Sequence, residues 1–276
     1  MRWLRSLFSR TAAETPAPSA AAPSASVAAA PPSGWDSWRA LLPEGPLAVA
    51  LDLSLEPAVP DPARPRLLRV AYPLASPGPD GLPGAAEGEA LARVEDALSA
   101  AFAAAGATYA GRLTLAGARQ HLFYAPASLV ADGPLAAAGG ELAGYQVTVE
   151  AGEDPGWSGW RDELLPPPRT RRWLEDRREI EALARRGEPT ALARPVDHQA
   201  SFATAAAREA FTAEAVALGF APAGRRDDAP PPSPFAVDLR RDDLVTLGHI
   251  HGVSWSLCGL AARHGGSYDG WEPAGG

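Results

Sequence analysis

RPVDHQASFATAAAREAFTAEAVALGFAPAGRRDDAPPPSPFAVDLRRDDLVTLGHIHGVSWSLCGLAARHGGSYDGWE, running from Arg194 to Glu272, is the stretch whose changing apolar period decides the fold. Arg194–Ala203 reads as a strand. Ala207, Phe211, Ala215 and Leu218 then recur at three- and four-residue intervals, which predicts a helix stopped at Gly219. GFAPAGRR and PFAVDLRR read as two strands flanking the loop DDAPPPS. Leu247, Ile250, Ser254, Leu257, Cys258 and Ala261 mark a second helix, with Asp242-Asp243 expected to cap its free N–H groups. GGSYDGWE closes the series as a strand. The order β-α-β-β-α-β predicts a ferredoxin-like split βαβ unit, an antiparallel sheet with two helices on one face.

Upstream, TRRWLEDRREIEALARRGE predicts an amphipathic helix with Trp173, Ile180 and Leu183 inward. Pro166-Pro167-Pro168 stops any helix before it, so a boundary falls there and 169–276 forms one domain. Residues 34–168 form another. Pro46–Leu55 and Arg66–Leu74 read as strands, Gly88–Gly106 as a helix on Leu91, Val94, Leu98 and Phe102. Two further strands surround the Gly117 turn, then come a short alanine-rich helix, the strand Tyr145–Gly152, and a closing turn or short helix over Asp154–Pro168. The fold class expected is therefore α+β in two domains, antiparallel sheets with helices packed on one face. Residues 11–33 are almost wholly Ala, Pro and Ser, the composition of a tether. It leaves residues 1–10 apart, where Trp3, Leu4, Leu7 and Phe8 share one helical face among Arg2, Arg5 and Arg10. That segment reads either as a small docking helix for a partner or membrane surface, or as a frayed terminus.

All 25 basic residues are arginine. Without lysine, neither a phosphate-cradling P-loop nor a pyridoxal Schiff base is possible. The single Cys258 excludes an internal disulfide framework and a thiolate-rich zinc site, and fits a reducing, cytoplasmic setting. No run of about 18 apolar residues predicts a membrane span. Charge is uneven: Gly34–Pro168 holds 8 arginines against 17 acids, Arg169–Gly276 14 against 15. Direct nucleic-acid binding, which needs a dense basic face, is not expected.

Chemistry-bearing motifs are few. His249 and His251 lie two apart on a helix, about 200° from each other, and cannot chelate one ion together. Asp197 and His198 are strand neighbours facing opposite sides, which argues against an acid–base pair. Gly252-Val-Ser254-Trp-Ser256 misses the nucleophile elbow at its last position and lies in a helical pattern. No catalytic residue, metal site or cofactor is expected, and a hydrolase using His198 or His249 ranks last. His264–Pro273 reads either as a turn and closing strand with Trp271 buried, or as an aromatic–acidic interface surface.

Asp176-Arg177, Arg194-Pro195-Val196-Asp197-His198, Phe202, Leu218-Gly219-Phe220 and Gly265-Gly266-Ser267-Tyr268-Asp269-Gly270-Trp271-Glu272, taken in order, give the second domain a close resemblance to the regulator of ribonuclease activity B family. The resemblance implies a ferredoxin-like protein that binds and restrains an RNase E-type endoribonuclease, with no catalytic residues of its own. Tyr268, Asp269, Gly270, Trp271 and Glu272, with Asp197 and His198, are the expected interface. An adaptor for an unrelated protein partner is the alternative. Pro79-Asp80-Gly81-Leu82-Pro83, Tyr109-Ala110-Gly111-Arg112 and Asp154-Pro155 with Trp157 and Trp160 make the first domain similar to an uncharacterised bacterial family often found ahead of this one, with no activity attached.

Overall fold

The computed structural model describes residues 34–190 and 192–274; the readings placed on 1–33 lie outside them. The chain divides into two compact units between Pro166 and Pro167.

In the first unit six strands, β1 (Trp35–Leu42), β2 (Gly45–Asp52), β3 (Arg66–Pro73), β4 (Thr108–Leu115), β5 (Ala118–Ala125) and β6 (Thr148–Glu153), form one antiparallel sheet ordered β1-β2-β4-β5-β3-β6. β1 escapes the sequence reading because WDSWRALL mixes aromatic, acidic and basic residues; only Asp36 and Trp38 are buried. Helix α1 (Gly88–Ala104) lays Leu91, Val94, Leu98 and Phe102 against Leu68, Val70, Tyr72 and Phe123 of the sheet. Phe102 stacks on Phe123 at 4.3 Å. A short helix α2 (Asp132–Ala137) follows β5. The sheet of this unit is covered on both faces. A π-helical turn, Gly159–Leu164, covers the opposite face: Trp38 Nε1 donates to the Leu164 carbonyl at 2.8 Å, and Trp157 stacks on Tyr124 at 3.8 Å.

The second unit runs α3 (Pro168–Arg185), β7 (Ala193–Phe202), α4 (Ala205–Ala217), β8 (Ala221–Arg226), β9 (Phe235–Leu244), α5 (Leu247–Arg263) and β10 (Gly266–Pro273). Its antiparallel sheet is ordered β10-β7-β9-β8, so β9 separates β7 from β8 as the split βαβ unit requires. Thr204 caps α4, its Oγ1 accepting from the Ala207 N–H at 3.2 Å. Phe202, Phe211, Leu239, Leu257 and Leu260 form the main core between helices and sheet. Burying such side chains contributes about 1.5–3 kcal/mol each.

Two expectations are corrected. Asp242 and Asp243 do not cap a helix: β9 continues through them to Leu244, and α5 starts after Thr246. On α3 it is Leu174, Asp176 and Leu183 that are buried, while Trp173 is half-buried under the Arg177 guanidinium. The Gly265-Gly266 pair ends α5 for two reasons. Gly265 takes φ +67°, and a Cβ on Gly266 would stand 2.2 Å from a Phe202 ring carbon. Among the described residues no helix is long and apolar enough to cross a membrane.

Candidate functional site

Strand pairing sorts the seven residues expected at the interface onto two faces. Trp271 pairs with His198 and Tyr268 with Ala200, all on the side packed by the helices. Tyr268, Trp271 and His198 are 8 %, 7 % and 1 % exposed, so they cannot present themselves to a partner. In a regular strand Tyr268 and Trp271, three apart, would face opposite sides. A β-bulge at Asp269, with Gly270 at φ +143°, resets the alternation and turns both rings inward.

The same bulge gathers the other four residues on the opposite face. Glu272 pairs with Asp197, which pairs with Arg240; Gly270 pairs with Gln199, which pairs with Asp238. No helix of this unit covers that face: its helix-packed residues are Val196, Ala200, Phe202, Val237 and Leu239, the alternating positions of β7 and β9. The face carries the carboxylates of Asp197, Asp238, Asp242, Asp269 and Glu272 against the guanidinium groups of Arg226 and Arg240. Arg240 grips Asp197 by two bonds, 2.6 and 2.7 Å, and Arg226 reaches Asp238 at 3.1 Å. Among the described residues no arginine is bonded to Asp269; it accepts from Ser201 Oγ at 3.1 Å, and burial raises its pKa against the opposing effects of Ser201, Ser267 and the Arg226 charge. A shallow concavity of about 640 Å³ lies at its end of the face, bordered by Ser201, Arg226, Asp228 and Ser267. Its loop wall is pinned by buried Arg208, which donates to the Arg226 carbonyl at 3.2 Å and pairs with Asp227.

Beneath the sheet two buried carboxylates hold the helices in place. Asp176 on α3, fully buried, accepts from Arg172 Nε (3.0 Å), Trp271 Nε1 (2.9 Å), His251 Nδ1 (3.0 Å) and Ser254 Oγ (2.6 Å). It thereby ties α3 to α5 and β10. Asp243 on β9 accepts from Arg241 (3.0 and 2.8 Å) and His249 Nε2 (2.8 Å), with His198 Nε2 at a long 3.6 Å. Burial alone would raise the Asp243 pKa, but these neighbours hold it well below the usual carboxylate range. His198 Nδ1 bonds the Tyr268 hydroxyl at 2.8 Å.

Sequence reading missed these pairings, although the opposed directions of His249 and His251 pointed to two separate partners. Ser254, His251 and Asp176 do meet, but not as a nucleophile relay. The Ser254 hydroxyl donates to the carboxylate instead of the imidazole, and all three are buried. Among the described residues no group of three or more His, Cys, Asp or Glu side chains is placed to hold a metal ion.

Residues 173–272 match the family model described as regulator of ribonuclease activity B, and residues 33–165 match a family of unknown function, DUF695. The two matches cover the regions in which the sequence carries both resemblances. No curated protein matches the chain. A crystal structure of an unknown protein from Galdieria sulphuraria is similar at 12 % identity over 76 % of this chain and 98 % of that one. Its TM-score of 0.22 is too low to carry a structural argument.

Proposed function

We propose that the chain is a non-catalytic regulator that binds an RNase E-type endoribonuclease in the cytoplasm and restrains RNA cleavage, with the helix-free face of the second unit as its docking surface. The observation that carries this reading is the bulge at Asp269. It collects Asp197, Asp269, Gly270 and Glu272 on one helix-free, acid-rich face within a region that matches a ribonuclease-regulator family. The face fits a basic partner: the exposed Asp269 carboxylate is bonded to no arginine among the described residues, so it is open to an incoming guanidinium. Tyr268, Trp271 and His198 act from below, fixing the strand that presents the acids.

The test is to titrate the full chain into a purified RNase E-type nuclease and follow the RNA cleavage rate. Saturable inhibition is expected. Asp269→Arg and Glu272→Arg, both at exposed positions, should weaken it by roughly tenfold or more while leaving the circular dichroism spectrum unchanged. An unchanged rate at high molar excess would remove this partner, and co-purification would then decide for the adaptor alternative. Inhibition insensitive to both charge reversals would move the docking surface elsewhere.

A further inference from the structure

The first unit holds a feature that the regulator reading leaves unused. Four side chains form a directional chain across β3, β5, β4 and α1. Burial, then Arg119 and Arg112, push the pKa of fully buried His121 far down, so the ring is neutral and has one donor and one acceptor nitrogen. Tyr109 donates to Glu95 Oε1 at 3.0 Å, so its oxygen accepts from His121 Nδ1–H at 2.9 Å. Nε2 accepts from Tyr72 at 2.9 Å. The same Glu95 oxygen also pairs with Arg112.

That chain uses up the nearby negative charge. Glu87, the other carboxylate of this cluster, is bonded by the Ala75 and Ser76 N–H groups (2.7 and 2.9 Å) and by Tyr145 at 3.1 Å. Arg119 is left with one bond, Nε to Thr114 Oγ1 at 3.1 Å, and no carboxylate among the described residues. It is nevertheless only 9 % exposed, and its two terminal nitrogens have no hydrogen-bond partner among the described residues. A buried guanidinium whose nearby acid, Glu95, is already bonded to Tyr109 and Arg112 is costly and calls for an anion.

The sheet register shows where that anion would sit. Arg39, Ala48, Thr114 and Arg119 form one row across β1, β2, β4 and β5; Ser37, Ala50, Arg112 and His121 form the next. Side chains of paired positions share a face, so a floor of small residues lies between arginines at its two ends. Trp35, half-buried, closes one side with its ring 5.2 Å from that of Tyr109. Three of the eight arginines in an otherwise acidic unit lie in these two rows.

We propose that Arg119, Arg112 and Arg39 form a binding site for the oxyanion of a small molecule, a phosphoryl or carboxylate group held over the Ala48–Thr114 floor. The guanidinium fork suits either group, and the aromatic wall suits a flat ring attached to it.

Thermal unfolding of the full chain in chloride, inorganic phosphate and acetate at matched ionic strength tests the site. A saturable rise in Tm with phosphate, with acetate, or with both is expected, and the better anion identifies the group. Arg119→Met should raise Tm in chloride by removing the uncompensated charge, yet abolish the anion response. Arg39→Ala, at an exposed position, should leave Tm in chloride unchanged and weaken anion binding by about tenfold. Superimposable wild-type curves in all three salts would overturn the proposal, and so would a response that survives both substitutions.

Discussion

Replacing Asp176 with Asn is the sharpest test of how the second unit is held together. The carboxylate is fully buried and receives two donors at each oxygen: Arg172 and Trp271 at Oδ1, His251 and Ser254 at Oδ2. An amide keeps the shape but offers one acceptor atom. Whichever way it flips, its NH2 group faces two donors. Each stranded buried donor costs about 1–3 kcal/mol, and removing one charge of a buried ion pair about 3–5 kcal/mol. The two routes overlap, so Asp176→Asn should lose about 3–5 kcal/mol, a large part of the roughly 5–15 kcal/mol available to a domain. At this size the midpoint should fall by about 10–20 °C. Ser254→Ala removes one donor and leaves the carboxylate with three, so it should cost only about 1 kcal/mol. Urea and thermal unfolding followed by near-ultraviolet circular dichroism measure both. A loss below about 1 kcal/mol for Asp176→Asn, or equal losses for the two variants, would refute the idea that one carboxylate fastens α3 to α5 and β10.

Gly266→Ala would place a Cβ 2.2 Å from a Phe202 ring carbon and 2.6 Å from the Ser201 carbonyl oxygen, so a loss of about 1–3 kcal/mol or more is expected in urea unfolding. Burial pushes the Cys258 thiol from 9.0 up to about 11, so iodoacetamide at neutral pH should react about a hundredfold more slowly than with a free cysteine, by mass-spectrometric time course. The Asp243 carboxyl is held below its ordinary 3.8 by His198, Arg241 and His249 against the opposing effect of burial. Its contribution is therefore complete above pH 3.8 and disappears as pH falls through the lowered value. In acid unfolding, wild type should lose stability more steeply below that pH than Asp243→Asn, and parallel acid limbs would contradict the assignment.

Several features of the site were legible before the fold. The ferredoxin-like order was written in the switch from period two around Arg194–Ala203 to helical spacing at Ala207–Leu218 and back, since each is a local property of consecutive residues. The opposite facing of Asp197 and His198 was equally local, since adjacent strand residues alternate between the two faces. β1 was hidden because its polar and aromatic residues show no clean alternation, and its pairing partner rather than its own composition makes it a strand. The strand through Asp242 and Asp243 was hidden for a different reason: two acids before an apolar helix make a good cap, but Asp243 gains more from Arg241 and His249 inside the fold.

What the sequence determined by itself was the succession of elements, the apolar stripe of each helix, the glycine pair that stops α5, and the exclusion of every chemistry that needs lysine. Tertiary structure decided which face each functional residue joined. Tyr268 and Trp271 share the core only because a bulge at Asp269 shifts the alternation, and Asp176 meets Trp271 across 95 positions. Arg39 and Arg119 come into one row only through the pairing of four strands. The physical reason is one of range. Side-chain period and backbone preference act over a few residues, whereas register, bulges and the neutralisation of buried charge depend on partners far apart in the chain.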